Sequence, residues 1–323
     1  MEEAILGLPD QFRFKPEMID KKKLFTEYES VVVVGMGGSH LCGGILKAVD
    51  PSLPITIHNG YGLPDISPAQ KKKILFVFVS YSGNTEETLD ALEEAMDEGA
   101  NVAVITTGGK MKALADRSAL PMIVVPDEGI QPRNAVGHSV MALAALLGSD
   151  RSLSELRGLA DKLDPKRERA KGLEVAENLS GLIPLIYASS DNLTLAYNWK
   201  IKFNETTKIP SFYNVFPELN HNEMEGFGAV EGTRRLSSEI AVYILSDEED
   251  HPRIQKRMDI TEQIYKERGI KTFRFKLEGS SRAEKIFKGL LVADWASLEL
   301  SVSRYKTDPD TVPFIEKFKK LMK

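Results

Sequence analysis

Ser80, Ser82 and Thr85 place three hydroxyls around Gly83, between the apolar run Ile74 to Val79 and a segment in which Leu89, Leu92 and Met96 recur at helical spacing. A strand that passes into a helix through such a turn offers an anion those hydroxyls together with the unpaired N–H groups of the first helical turn. A phosphate would fit. A plain helix cap is the other reading, with Asn84 or Thr85 capping and Glu86 or Glu87 offsetting the helix dipole; it leaves only the surplus of hydroxyls unexplained. A second turn of this kind follows Val31 to Val34, as Gly35-Met-Gly-Gly-Ser-His. Gly37 and Gly38 allow backbone to approach a ligand, and Ser39 adds a hydroxyl; a helix entrance made tight by packing would look the same. The turn is not a dinucleotide fingerprint. His40 stands at the sixth position, and the next strand-like run, Ile55 to Ile57, ends in His58 and Asn59 rather than in an acid.

Further on, Arg133 lies in a loop after the run Met122 to Val125, where a guanidinium could meet a phosphate or a developing oxyanion, or simply be solvated. Glu205, in Trp-Lys-Ile-Lys-Phe-Asn-Glu-Thr-Thr-Lys (199–208), falls near the C-terminal end of a helix that stops before Ile209-Pro210. The dipole disfavours a carboxylate there, a setting that suits proton exchange if water is kept away; a solvated glutamate is the plainer alternative. His221 sits among acids and amides in Glu218-Leu-Asn-His-Asn-Glu-Met-Glu-Gly and could move a proton near neutral pH. With Glu223 and Glu225 it forms at most a loose metal cluster whose spacing matches no common ligand pattern, so no metal is expected.

These residues need a scaffold with strand ends gathered on one edge. Short apolar runs at 31–34, 55–57, 74–79, 102–105 and 122–125 alternate with helical segments at 41–49, 86–98, 110–118 and 136–147. That alternation predicts an α/β fold, a parallel sheet flanked by helices on both faces, with ligands bound beyond the carboxyl ends of the strands. Both glycine turns and Arg133 fall on that edge. Residues 21–29 could add a short leading helix. Residues 151–176, charged and poor in apolar side chains, read as a helical connector, so a boundary is expected near 150, with domains 1–150 and 151–323. A second strand and helix series then follows: strands 182–188, 240–246 and 271–277, helices 193–203 and 251–268. It has no hydroxyl loop as rich as the first.

A chain of 323 residues with 42% hydrophobic and 28% charged residues can bury a sizeable core, most naturally in two domains. The 42 basic and 47 acidic residues are scattered, for a net charge of −5, and no broad basic face points to nucleic acid. Cys42 is the only cysteine, which excludes an intramolecular disulfide framework and a cysteine-rich zinc site. The start, Met-Glu-Glu-Ala-Ile, lacks a basic leader, and no apolar run is long enough to cross a bilayer. A cytoplasmic location without membrane association is expected.

Gly-Met-Gly-Gly-Ser, Ser-Tyr-Ser-Gly-Asn-Thr-Glu-Glu-Thr, Pro-x-Arg, Asn-Glu-Thr-Thr-Lys-Ile-Pro and Asn-His-Asn-Glu occur in an order and spacing that resemble the bifunctional phosphoglucose/phosphomannose isomerases, over nearly the whole chain. The resemblance implies two sugar isomerase (SIS) domains, each a three-layer α/β/α unit, a homodimer, a sugar-phosphate substrate and no cofactor. It implies that Gly38, Ser39, Ser80, Ser82 and Thr85 hold the phosphate, that Glu205 is the base, that His221 assists ring opening, and that Arg133 stabilises an enediolate. Ile315-Glu-Lys-Phe-Lys resembles the family's closing motif and would make Lys319 its active-site lysine; a basic surface helix is the plainer alternative. Asp308-Pro-Asp-Thr-Val-Pro departs from the more usual Asp-Pro-x-Pro-Val at Thr311 and Val312, near the region associated with tolerance of either C2 epimer. The activity implied is interconversion of glucose 6-phosphate and mannose 6-phosphate with fructose 6-phosphate. A glucose-only isomerase and a non-catalytic sugar-phosphate sensor are the alternatives.

Overall fold

The β-branched and aromatic runs form the strands of two sheets. The computed structural model describes residues 1–228 and 230–322. The chain divides into one unit of Gly7–Lys162 and a second of Leu163–Lys323 joined by Met1–Leu6. The division expected near 150 falls twelve residues later, because the short helices Asp150–Arg157 and Leu159–Lys162 pack on Val136–Leu146 and Leu8–Gln11 of the first unit.

In the first unit the described strands are β1 (Met18–Ile19), β2 (Ser30–Val34), β3 (Ile55–His58), β4 (Ile74–Ser80), β5 (Asn101–Thr106) and β6 (Met122–Val124), in the order β1-β6-β5-β4-β2-β3. All neighbours are parallel except β1, which joins β6 antiparallel. Helices cover both faces. Ala91, Leu92 and Ala95 of helix Glu86–Asp97 and Met111 and Ala115 of helix Gly109–Ser118 bury Val32, Val34, Phe76, Phe78 and Val104. Helix Leu41–Val49 lies on the other face, where a Cβ added to Gly43 would stand 3.1 Å from Val33 Cβ. Each fully buried Val, Phe or Leu contributes about 1.5–3 kcal/mol of transfer free energy, so register errors that turn these side chains outward are strongly disfavoured. The leading helix expected over 21–29 is reduced to one 3-10 turn, Lys21–Lys23, in which three adjacent lysines have no apolar stripe to bury.

The second unit holds β7 (Ile183–Ser189), β8 (Phe212–Phe216), β9 (Ile240–Ser246) and β10 (Lys271–Lys276), all parallel, in the order β10-β9-β7-β8. Helix Pro252–Glu267 and the segment 218–227 cover one face, with Phe216, Leu219, Phe227, Met258 and Tyr265 packed on Leu185, Tyr187, Val242 and Ile244. Helix Leu193–Lys202 covers the other, with Trp199 5.3 Å from Phe275 and 5.9 Å from Tyr243 between ring centres. Residues 151–176 are not a connector. Helix Pro165–Leu179 runs along helix Arg282–Glu299, and a Cβ on Gly172 would come within 2.4 Å of Trp295 Cβ. Low hydrophobicity misled here because the close approach is made at a glycine, which adds no apolar side chain. Neither β8 nor helix Arg282–Glu299 was evident from the sequence; the latter is buried nearly throughout and so shows no one-sided apolar stripe.

Candidate active site

The first unit's sheet reverses direction between β2 and β4: the chain goes outward from β2 to β3, then crosses back to place β4 on the other side of β2. Ligands of open α/β sheets bind outside the strand ends at such a switch. Both glycine turns are there. Ser39 Oγ, at the start of the helix after β2, accepts the N–H of Tyr81 at 3.2 Å, tying one turn to the other. Gly38 closes against Pro132-Arg133, where an added Cβ would stand 3.0 Å from Arg133 N, so the third predicted element meets the first. Arg133 is 1% exposed, in the 3-10 turn Pro132–Asn134.

Ser80 Oγ and Thr85 Oγ1 lie 2.9 Å apart, closing the hydroxyl loop across its base. Thr85 occupies the N-cap position of helix Glu86–Asp97 without its side chain capping any amide. The plain-cap reading thus fails for Thr85: its hydroxyl faces Ser80 rather than the helix. Ser82 is exposed, and its Oγ accepts the N–H of Asn84 at 3.3 Å. Gly83 has φ +64°, and a Cβ on it would meet the Gly108 carbonyl at 1.8 Å, so no larger residue fits. This contact reveals a support that sequence reasoning missed. Thr107 Oγ1 donates to Tyr81 O at 2.6 Å, the N–H of Met111 to Gly83 O at 2.9 Å, and that of Lys110 to Asn84 Oδ1 at 3.1 Å. The signal was the glycine pair Gly108-Gly109 after β5, on the same sheet edge.

In the second unit Glu205 is half-buried in a π-helical turn, Phe203–Thr207, that extends helix Leu193–Lys202. Single π turns inside helices recur at functional sites. The turn ends at Lys208, in the left-handed region at φ +64°, whose Nζ donates to the carbonyls of Glu205 and Asp308. Asp308 in turn accepts the N–H of Asp310 at 2.9 Å and the hydroxyl of Thr311 at 3.1 Å, and the Asp310 N–H first of all holds its carboxyl below the usual range. The altered 308–312 segment is therefore fastened to the turn that carries Glu205. Burial, with Tyr213 and the Glu205 charge adding to it, pushes the Tyr197 phenol up, so Tyr197 stays protonated beside that carboxylate.

His221 ends the 3-10 turn Glu218–His221 and is exposed. Its loop is anchored on both sides. Asn220 Nδ2 donates to Thr261 Oγ1 at 2.9 Å, while Glu223 accepts the Tyr187 hydroxyl and the Asn214 amide, each at 2.6 Å. Burial keeps Tyr187 protonated for that role. Glu223 is thus a structural anchor rather than a free ligand. Lys319 lies on helix Pro313–Leu321, which buries none of its residues. Glu205, His221 and Lys319 accordingly stand on three separate elements of this unit.

A family model, the bacterial phospho-glucose isomerase C-terminal SIS domain, matches residues 168–322. The whole chain is 33% identical to a bifunctional phosphoglucose/phosphomannose isomerase of Aquifex aeolicus, with 100% of this chain and 99% of that one covered. The chain belongs to the bifunctional phosphoglucose/phosphomannose isomerase family. A second member, from Caldicellulosiruptor bescii, is 32% identical over 98% of this chain and 97% of its own. Among solved structures, tagatose-6-phosphate ketose/aldose isomerase from Escherichia coli matches with a TM-score of 0.71 at 16% identity, covering 96% of this chain and 95% of that one; this likeness bears on the fold. In this phosphoglucose/phosphomannose isomerase family member the α/β architecture expected from the motifs, sheets of mainly parallel strands flanked by helices, is present in both units. No helix among the described residues is long and apolar enough to cross a membrane.

Proposed function

We propose that this chain interconverts glucose 6-phosphate and mannose 6-phosphate with fructose 6-phosphate through a cis-enediolate. Full-length membership of the family carries this reading. The hydroxyl loop supports it, because Thr85 is left uncommitted to capping at a helix N-terminus that faces a sheet switch point. Gly38, Ser39, Ser80, Ser82 and Thr85 hold the phosphate, which is remote from the reacting carbons and supplies binding energy that positions them. His221 moves a proton between the ring oxygen and the C1 hydroxyl, with Lys319 polarising that end, and the chain opens to a carbonyl form. Glu205 removes the proton from C2 and returns it to C1, and Arg133 stabilises the enediolate charge between the two steps. Hydrogen moves only within the substrate, so the chemistry calls for no redox partner. We further read the protein as a cytoplasmic homodimer.

The altered Thr311 and Val312 favour a second reading, glucose isomerisation alone, because Asp308 joins their segment to the Glu205 turn. Pocket shape at one epimeric carbon is worth about 1–3 kcal/mol, roughly tenfold to over a hundredfold in selectivity. Initial rates on both aldose phosphates, measured on one preparation with and without EDTA, test the proposal. Comparable, chelator-insensitive rates are expected. A glucose rate more than about a thousandfold above the mannose rate, beyond that selectivity range, would establish the glucose-only reading. Tight fructose 6-phosphate binding without turnover would make the chain a sensor.

A further inference from the structure

Three contacts fasten the end of helix Leu193–Lys202 and its π turn to helix Arg282–Glu299. Trp199 Nε1 donates to the Gly289 carbonyl and Thr207 Oγ1 to the Ser297 carbonyl, each at 3.0 Å. Between them Lys202 Nζ meets Asp294 Oδ1 at 2.5 Å, with side chains only 2% and 8% exposed. Taking two charges out of water is costly, and apolar side chains of similar volume usually serve stability as well or better. Stability alone therefore does not account for an ion pair at this place in the core.

Its position does. Lys202 is the last residue of the α-helix, and the π turn begins at the next residue, with Glu205 at its centre. A π turn bonds i to i+5 and turns less per residue than an α turn, so the direction in which Glu205 leaves the backbone depends on where one gives way to the other. The ion pair holds the near side of that junction and Thr207 the far side. The second helix is adapted to the same seam. It passes into its own π turn, Leu300–Tyr305, whose Ser301 Oγ lies 2.8 Å from Thr307 Oγ1, and Thr307 Oγ1 donates to Thr207 O at 3.4 Å. One turn before Lys202, Asn198 is also buried, with neither amide atom hydrogen-bonded among the described residues.

We propose that Lys202 and Asp294 are a positioning pair that fixes the α-to-π junction and thereby aims the Glu205 carboxylate at the carbon-bound proton. The proposal rests on the reading of Glu205 as the base. The test uses the full-length protein with Lys202→Met and Asp294→Leu combined, and a second combination, Lys202→Gln with Asp294→Asn, which keeps size and hydrogen bonding and folds with less repacking. Thermal midpoint, kcat and KM for isomerisation, and the rate of sugar-phosphate ring opening are measured on each. Expected is a kcat lower by about a hundredfold in the apolar variant and by about tenfold in the neutral one, as for a small misplacement of a reacting group, with KM little changed. Ring opening, assigned to His221, stays at the wild-type rate. Lys202→Arg, which retains the charge, restores most of kcat. Wild-type kcat in either folded double variant, or a parallel fall of ring opening and isomerisation, would overturn the proposal. Glu205→Gln is the control: if it retains turnover the base assignment fails, whereas an inactive Glu205→Gln beside fully active pair variants sinks the positioning role alone.

Discussion

The two units build the same feature, a parallel sheet that reverses direction, and furnish its edge in opposite ways. In Gly7–Lys162 the switch between β2 and β4 is lined by hydroxyls, glycine backbone and a helix start that the Thr85 side chain does not cap. In the second unit the reversal lies between β7 and β9, and there the protein supplies its own anion. Asp247, with a fully buried carboxylate, accepts Arg282 at 2.6 Å and Lys285 at 2.7 Å, while Asn192 donates to Asp250 at 3.3 Å across the loops that follow β7 and β9. Burial pushes the Asp250 carboxyl up. The fold makes a crevice at each such switch; in the second unit Asp247 already accepts the cations there, whereas in the first unit the Thr85 hydroxyl is turned to Ser80 and not to the helix start.

Removing the internal anion is the strongest way to break this comparison. Asp247→Ala removes the buried carboxylate that accepts both Arg282 and Lys285, leaving Glu249, at 3.2 Å, as the carboxylate on Lys285 among the described residues, and a loss of about 3–5 kcal/mol is expected in denaturant titration, as for other broken buried pairs. Added sulfate should recover part of it if the loss is that of an anion; no recovery would mean that packing, not charge, holds this edge. The opposite outcome is expected at the first unit's edge. Ser80→Ala removes a hydroxyl that, among the described residues, pairs with Thr85, so stability should change by less than about 1 kcal/mol, while KM for the sugar phosphate rises about tenfold, as when a hydrogen bond to a charged group is lost. An unchanged KM would remove Ser80 from the phosphate site.

The smallest expected effect concerns pH. Glu284 sits at the N-terminus of helix Arg282–Glu299; burial alone would raise its pKa, but Lys288 and the Ser280 hydroxyl and N–H outweigh that and bring it from 4.5 to about 2. Because the folded value is the lower one, the stabilisation is complete above about pH 4.5 and drains away as pH falls towards 2. Glu284→Gln should flatten the stability profile in that window and leave it unchanged in slope near neutrality. A profile with the wild-type slope below pH 4.5 would assign the acid sensitivity to other carboxylates.

Much of the framework was legible from local pattern. The runs at Val31–Val34 and Ile74–Val79 are buried on both faces and so carry little polar interruption, which is why strands β2 and β4 were placed within a residue. What failed did so for physical reasons. Helix Arg282–Glu299 is buried almost all round and offers no stripe, strand β8 has an exposed Phe212 beginning it, and Gly172 packs by absence of a side chain, which composition reads as weakness. The anchoring of the His221 loop by Glu223 could not be read either, since it needs Tyr187, 36 residues away on β7, and Asn214 of β8, a strand the sequence pattern does not show.

The amino-acid sequence by itself determined the residue types: hydroxyls and glycines where strands pass into helices, a glutamate at a helix end, a histidine among amides, and motifs specific enough to indicate a family. Those properties are local, set by propensity, spacing and side-chain chemistry. Only the tertiary structure decided which hydroxyl is left free by capping, that Gly38 brings Arg133 to the first glycine turn, that Glu205 sits in a π turn beside a buried ion pair, and that the second switch point is closed by Asp247. Each of these depends on which groups find one another as partners once the chain has folded, and a hydrogen bond or ion pair has no signature until both partners are in place.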